Sequence, residues 1–233
     1  MCTVTYVPLA SGFCITSNRD EQTARPKALP PQEYFINGKP LTFPKDQKAG
    51  GTWFAQSPTA TLVLLNGAAE KHIPKAHYRK SRGLIVLDLM ATELAISAWE
   101  TISLEGIEPF TIVLYELGNL YELQWDEVTK KTQVLDVHQS YIWSSSTLYS
   151  KEIRNERAQW FTQFLVQNKQ LNDKKLLAFH QFTQSDNSEF GLQINRNDVL
   201  KTVSITQVHI CEQNLEMNYI DLIHHETHTA SLT

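Results

Sequence analysis

The chain opens on a β-hairpin, and that leaves it few ways to fold. Residues 2–7 read Cys-Thr-Val-Thr-Tyr-Val, rich in β-branched side chains. Pro8-Leu9-Ala10-Ser11-Gly12 is a turn signal, and Phe13-Cys14-Ile15-Thr16-Ser17 is a second β-prone run. A lone hairpin is marginal in water, so it needs further strands or a helix to pack on. These arrive in blocks rather than in strand–helix alternation. Strand patterns come first, then a helical pattern over 81–102. A meander of strands follows over 110–117, 119–125, 132–137 and 140–146. Helices are expected over 147–168 and 172–182, and a closing hairpin over 199–211 and 216–223. Blocks of this kind favour an α+β fold with antiparallel sheets over a doubly wound parallel one. No internal repeat or linker divides the chain, so one domain over 1–233 is expected, with 224–233 a flexible tail.

Local chemistry refines this order. The run Ala60–Leu65 is almost continuously apolar, as expected of a strand buried on both faces, and it forms a hairpin with residues 50–55 across a turn at 56–59. Residues 22–48 hold Pro26, Pro30, Pro31, Pro40 and Pro44. Because proline cannot sit in a central strand, this stretch is expected to be an ordered loop with short extended pieces. Gly50-Gly51 lacks the Lys-Ser/Thr ending of a phosphate loop and suits a tight backbone turn. Ile153, Trp160, Phe161, Phe164 and Leu165 form one apolar stripe on the helix over 147–168.

Composition excludes several functions. The formal charge of −4 argues against a nucleic-acid binder, which usually shows a basic face. No apolar run approaches the ~20 residues that span a bilayer. Residues 1–5 carry neither a basic n-region nor an apolar h-region, so no signal peptide is expected. Three cysteines, Cys2, Cys14 and Cys211, make no disulfide framework. The expected location is cytoplasmic. Cys14 and Cys211 lie in β-prone runs and read as inert packing thiols. His224-His225-Glu226-Thr227-His228 is one residue short of the His-Glu-x-x-His spacing, so no metal site is assigned. Oligomeric state is left open.

Cys2 is the sharpest chemical feature. Removal of the initiator methionine would leave one residue with a thiol and a free α-amine. That amine has an ordinary pKa near ~7.7–8.0 and can be a neutral base near pH 7. A terminal amine acting on the adjacent nucleophile is a known activation mode. If the hairpin turns near Ala10, partner numbers sum to about 20, which brings Asn18-Arg19-Asp20-Glu21 beside the N-terminus. Arg19 can then favour a thiolate by its charge, and Asp20 can accept hydrogen bonds from the α-amine.

Met1-Cys2-Thr3, then Ser17-Asn18-Arg19-Asp20-Glu21 and Ala24-Arg25-Pro26, resembles the NRDE family, that of the transport-and-Golgi-organisation protein two. Gly50-Gly51-Thr52-Trp53, Leu64-Leu65-Asn66-Gly67, Arg79-Lys80-Ser81-Arg82-Gly83 and Thr202–Thr206 fit the same pattern. That family in turn resembles the N-terminal nucleophile (Ntn) hydrolases, among them the choloylglycine hydrolase and penicillin V acylase group. The resemblance implies a four-layer α-β-β-α sandwich of two antiparallel sheets. It also implies Cys2 as nucleophile, Arg19 and Asp20 as its supports, and hydrolysis of a non-peptide or small linear amide through a thioester, with no cofactor. Asn66 is either the side-chain donor to the oxyanion or a turn residue before Gly67. Where those hydrolases carry a later asparagine, this chain has Trp143-Ser144-Ser145-Ser146. Ser144 or Ser145 can bond the α-amine, or the cluster can cap the next helix. Lys201 stands near the place of a late arginine, without its fork, and Asn18 is a further candidate support. The partner is then a small-molecule amide. The alternative is a non-catalytic carrier on the same scaffold, whose partner is a hydrophobic, haem-like or lipid-like ligand.

Overall fold

The computed structural model describes residues 3–211 and 214–232. Its elements run β1 (Thr3–Leu9), β2 (Gly12–Gln22), β3 (Leu29–Ile36), β4 (Lys39–Lys45), β5 (Phe54–Gln56), β6 (Ala60–Asn66), α1 (Arg82–Met90) and α2 (Ala95–Thr101). They continue with β7 (Phe110–Glu116), β8 (Asn119–Trp125), β9 (Lys130–Leu135), β10 (Tyr141–Ser144), α3 (Lys151–Gln167), α4 (Asp173–Phe182), β11 (Asn195–Arg196), β12 (Leu200–Cys211), β13 (Asn214–Asp221) and β14 (Glu226–Leu232). The fold is α+β, with two antiparallel sheets and four helices. Internal contacts divide the chain into two compact units, one from Met1–Arg25 with His138–Ser231, the other from Pro26–Val137.

In the first unit the sheet order is β10-β1-β2-β12-β13-β14, with β11 paired to β12. The N-terminal hairpin closes through Ala10 and Ser11, and its partner numbers sum to 21 rather than the expected 20 (Thr3 faces Asn18, Leu9 faces Gly12). Gly12 has φ +113°, and a Cβ there would lie 1.9 Å from the Ile210 carbonyl oxygen, so only glycine fits. Helices α3 and α4 cover one face of this sheet. Phe161, Leu176 and Phe179 pack there with Val7, Cys14 and Leu192. Ser150 caps α3 by accepting from the Ile153 N–H, and Asn172 caps α4 by accepting from the Lys175 N–H. The cap role therefore falls to Ser150, not to the serines at 144–146.

The second unit has its own sheet, β3-β4-β5-β6-β7-β8-β9. β6 is buried on both faces, as its unbroken apolar run predicts. One face of the sheet, including Leu62, Leu64, Ile112 and Leu114, packs under α1 and α2 around the fully buried Trp99. The indole N–H of Trp99 donates to Thr132 Oγ1 at 3.0 Å. Gly51 and Gly83 touch backbone to backbone, and a Cβ on Gly51 would come 2.4 Å from the Gly83 carbonyl carbon.

Two expectations are corrected. Residues 29–45 form a β-hairpin rather than a loop. Pro30 and Pro31 are tolerated because β3 is an edge strand whose register breaks between Leu29 and Gln32, and Pro40 and Pro44 flank the single recorded pair joining β4 to β5, Thr42 with Gln56. Residues 226–232 are strand β14, next to β13, rather than a flexible tail. The Thr-rich alternation of Glu226–Leu232 suits an edge strand that keeps polar side chains in water.

Candidate functional site

Strand β2 carries Asn18, Arg19 and Asp20 in succession, all buried, although two of them are ordinarily charged. A strand alternates its side chains between faces, so Asn18 and Asp20 share the helix-covered face while Arg19 lies on the other. The sequence folds this way because Thr3, Thr5 and Val7 on β1 pair with Asn18, Thr16 and Cys14, which sets the parity of the whole ribbon.

Asn18 is a lock. Its amide Nδ2 donates to two carbonyl oxygens, those of His180 at 3.2 Å and Leu192 at 2.6 Å. Carbonyls only accept, so the amide orientation is fixed and Oδ1 must accept from His180 Nδ1, at 2.7 Å. Nδ1 therefore carries the proton, and Nε2 accepts from the Thr5 hydroxyl at 2.8 Å. Burial, reinforced by the nearby Arg157 charge, pushes His180 down to about 3, so the ring is neutral over the physiological range. Asn18 thus holds α4 to the sheet.

Asp20 is held by two hydroxyls. Thr202 Oγ1 donates to Oδ1 at 2.5 Å and Tyr149 Oη donates to Oδ2 at 2.6 Å. Thr202 Oγ1 itself accepts from the Ile194 N–H at 2.8 Å, which aims its proton at the carboxylate. Strand β12 reaches Asp20 through a bulge. Asp20 faces Thr202, Arg19 faces Ser204, and Val203 is the extra residue between. Arg19 Nη2 meets Glu21 Oε2 at 3.4 Å, and Arg25 Nε meets the same oxygen at 3.5 Å. On the Arg19 face of the sheet, the buried hydroxyls of Ser17, Ser204 and Thr206 find no partner among the described residues.

Cys2 lies outside the described residues. Thr3 pairs with Asn18 on one side and Ser144 on the other. The Ser144 hydroxyl is buried without a partner among the described residues, whereas Ser145 Oγ lies 2.8 Å from Thr147 Oγ1. Lys201 faces Glu21 in the ladder, and its ammonium pairs with Asp198 at 2.6 Å. Asn66 ends β6 in the second unit, opposite Phe110, and Gly67 follows at φ +82°. The first unit therefore brings together Asn18, Arg19, Asp20 and Ser144 around the start of β1.

Tyr149, Thr202, Arg157 and His180 are the contacts the sequence reading missed. Only Arg157 carries a usable local signal: it falls four residues from both Ile153 and Phe161, on the apolar stripe of α3. Cys14 is fully buried, and that burial raises its thiol to about 12. His224 lies in the β13–β14 turn and bonds Asp221 at 2.9 Å, while His228 is on β14 and bonds Glu226 at 3.3 Å. Among the described residues no helix is long and apolar enough to cross a membrane.

The fold and this cluster define an α+β protein with a buried Asn-Arg-Asp step beside its N-terminal strand. The family model for Transport and Golgi organisation 2 matches residues 1–228, and the chain belongs to that family. No curated protein matches the chain.

Proposed function

We propose that this protein is an N-terminal cysteine amidohydrolase that cleaves a small linear or non-peptide amide. After loss of Met1, the Cys2 α-amine takes the thiol proton and the sulfur attacks the carbonyl carbon. The α-amine then protonates the leaving amine, and water hydrolyses the thioester to regenerate the thiol. The observation that carries this reading is the pairing of Thr3 with Asn18, next to an Asp20 whose two oxygens are already oriented by Tyr149 and Thr202. Successive Cα atoms are ~3.8 Å apart, so Cys2 begins one residue from that cluster. Arg19 is the charge that favours a thiolate, and Asp20 the acceptor for the α-amine.

The layered α-β-β-α sandwich belongs to the same reading, supported by two helices packing on each sheet. So does a cytoplasmic location, where a thiol nucleophile stays reduced. The carrier alternative draws on Ser144, whose buried hydroxyl has no partner among the described residues where the hydrolases place an asparagine.

Intact mass of the protein from its own host, before and after iodoacetamide, is the test. The expected result is loss of the Met1 mass and labelling at Cys2. Cys2→Ala should abolish turnover of a panel of N-acyl amides while leaving thermal unfolding unchanged. Retained Met1 leaves no α-amine on Cys2 and overturns the hydrolase reading in favour of the carrier.

A further inference from the structure

Arg157 is a fully buried cation that pairs with no carboxylate among the described residues. Its Nη1 donates to Thr3 Oγ1 at 2.6 Å, and its Nη2 to the Gly191 carbonyl at 2.5 Å. Nε and Nη2 also share the Phe190 carbonyl at 3.2 and 3.1 Å. Its carbon Cζ lies 3.5 Å from the centre of the Tyr149 ring. A buried guanidinium without a counter-ion is costly, and neutral carbonyls offset only part of that cost. The anion in this network is Asp20, reached through the Tyr149 hydroxyl at 2.6 Å. The cation, the aromatic face and the carboxylate therefore form one chain, and the same cation grips the residue that follows Cys2.

We propose that Arg157 and Tyr149 are positioning residues for the Cys2 centre: Arg157 fixes the start of β1 through Thr3 and seats the Tyr149 ring, which in turn orients Asp20. This inference rests on the amidohydrolase reading. Its physical logic is preorganisation. A carboxylate that must hold the α-amine at one angle needs its own lone pairs committed in advance, and a ring clamped under a guanidinium commits one without a freely rotating donor. A guanidinium is also the one cation that can fork to a hydroxyl and two carbonyls while stacking on a ring.

The test uses full-length protein with Met1 removed, in a Cys211→Ser background, and reads the rate of Cys2 alkylation by iodoacetamide against pH. Tyr149→Phe keeps the ring and deletes only the O–H. Asp20 then bears its charge with one donor fewer and holds the α-ammonium longer. The rising limb of the profile is expected to move up by about 1 pH unit, a tenfold lower rate on that limb. Thr3→Val removes the Arg157 grip on β1 without touching Asp20 or Tyr149, and is expected to lower the plateau rate several-fold. A merely structural role would lower the melting temperature and leave the profile in place. If Cys2 alkylates normally in the parent and both variants keep its profile, the inference is overturned while the amidohydrolase reading stands. If the parent itself shows no alkylation at Cys2, that reading falls and takes the inference with it. Should Tyr149→Phe fail to fold, Thr3→Val alone decides.

Discussion

His180 makes the first unit sensitive to acid in a window that can be worked out. The ring is fully buried, its Nδ1–H donates to Asn18 at 2.7 Å, and its Nε2 accepts from Thr5 at 2.8 Å. Protonating Nε2 would set an N–H against the Thr5 hydroxyl hydrogen and bury a charge near Arg157. The folded value sits at about 3 against an ordinary 6.5. Between those two the unfolded chain binds the proton and the folded one does not, so stability falls as pH falls. The contribution is fully present above about 6.5 and is lost progressively toward 3. From pH 7 to 5 the loss amounts to about 2 kcal/mol, a drop of roughly twenty-five-fold in the folding equilibrium. The assay is urea unfolding at pH 7, 6 and 5 for the parent and His180→Asn, with hydrogen exchange across residues 173–182 as a local readout. His180→Asn keeps a donor for Asn18 and cannot ionise. It should be less stable than the parent at pH 7, with the gap closing by about 2 kcal/mol at pH 5. Parallel pH dependences for the two proteins would refute the assignment of a neutral, buried imidazole.

Three further outcomes follow from the geometry. Asn18→Ala leaves His180 Nδ1–H and the carbonyls of His180 and Leu192 without their donor or acceptor. It should cost about 3 kcal/mol or more in urea unfolding, with protection lost first in α4. Gly12→Ala forces a Cβ to within 1.9 Å of the Ile210 oxygen at φ +113°, and should lower stability by at least about 2 kcal/mol in a thermal melt. Cys14, raised to about 12 by burial, should stay unmodified by iodoacetamide at pH 8 in native protein and react only in urea, as read by peptide mass.

The N-terminal hairpin is legible from its residues because Thr3–Val7 and Phe13–Ser17 are β-prone and Gly12 marks the turn. Its register is legible only to one residue: the Ala10-Ser11 turn shifts every pair by one and sets Thr3, rather than Cys2, across from Asn18. Strands β3 and β4 were hidden by their prolines, which mark edge positions and register breaks as readily as loops. Strand β14 was hidden because Glu226–Leu232 has almost no apolar alternation to detect. In the site, Asn18, Arg19 and Asp20 stand out as one polar run, but the groups that hold them do not. Tyr149 and Thr202 are 129 and 182 residues from Asp20, and His180 is 162 from Asn18. No local period encodes contacts at such distances. Arg157 was the exception, a charged residue on an apolar helical stripe, where burial is the natural inference from position.

The wide spacing between Asp20 and Thr202 also sets a timetable for synthesis. At ~5–20 residues per second, a ribosome emits the partner of that carboxylate roughly 10–40 s after the carboxylate itself. Meanwhile Pro26–Val137, an uninterrupted stretch, can finish its own sheet. The half that begins with the first residue is therefore the half completed last, and a nascent chain cut short before residue 200 would carry its proposed nucleophile on an unfinished ribbon, inactive until the last strands are made.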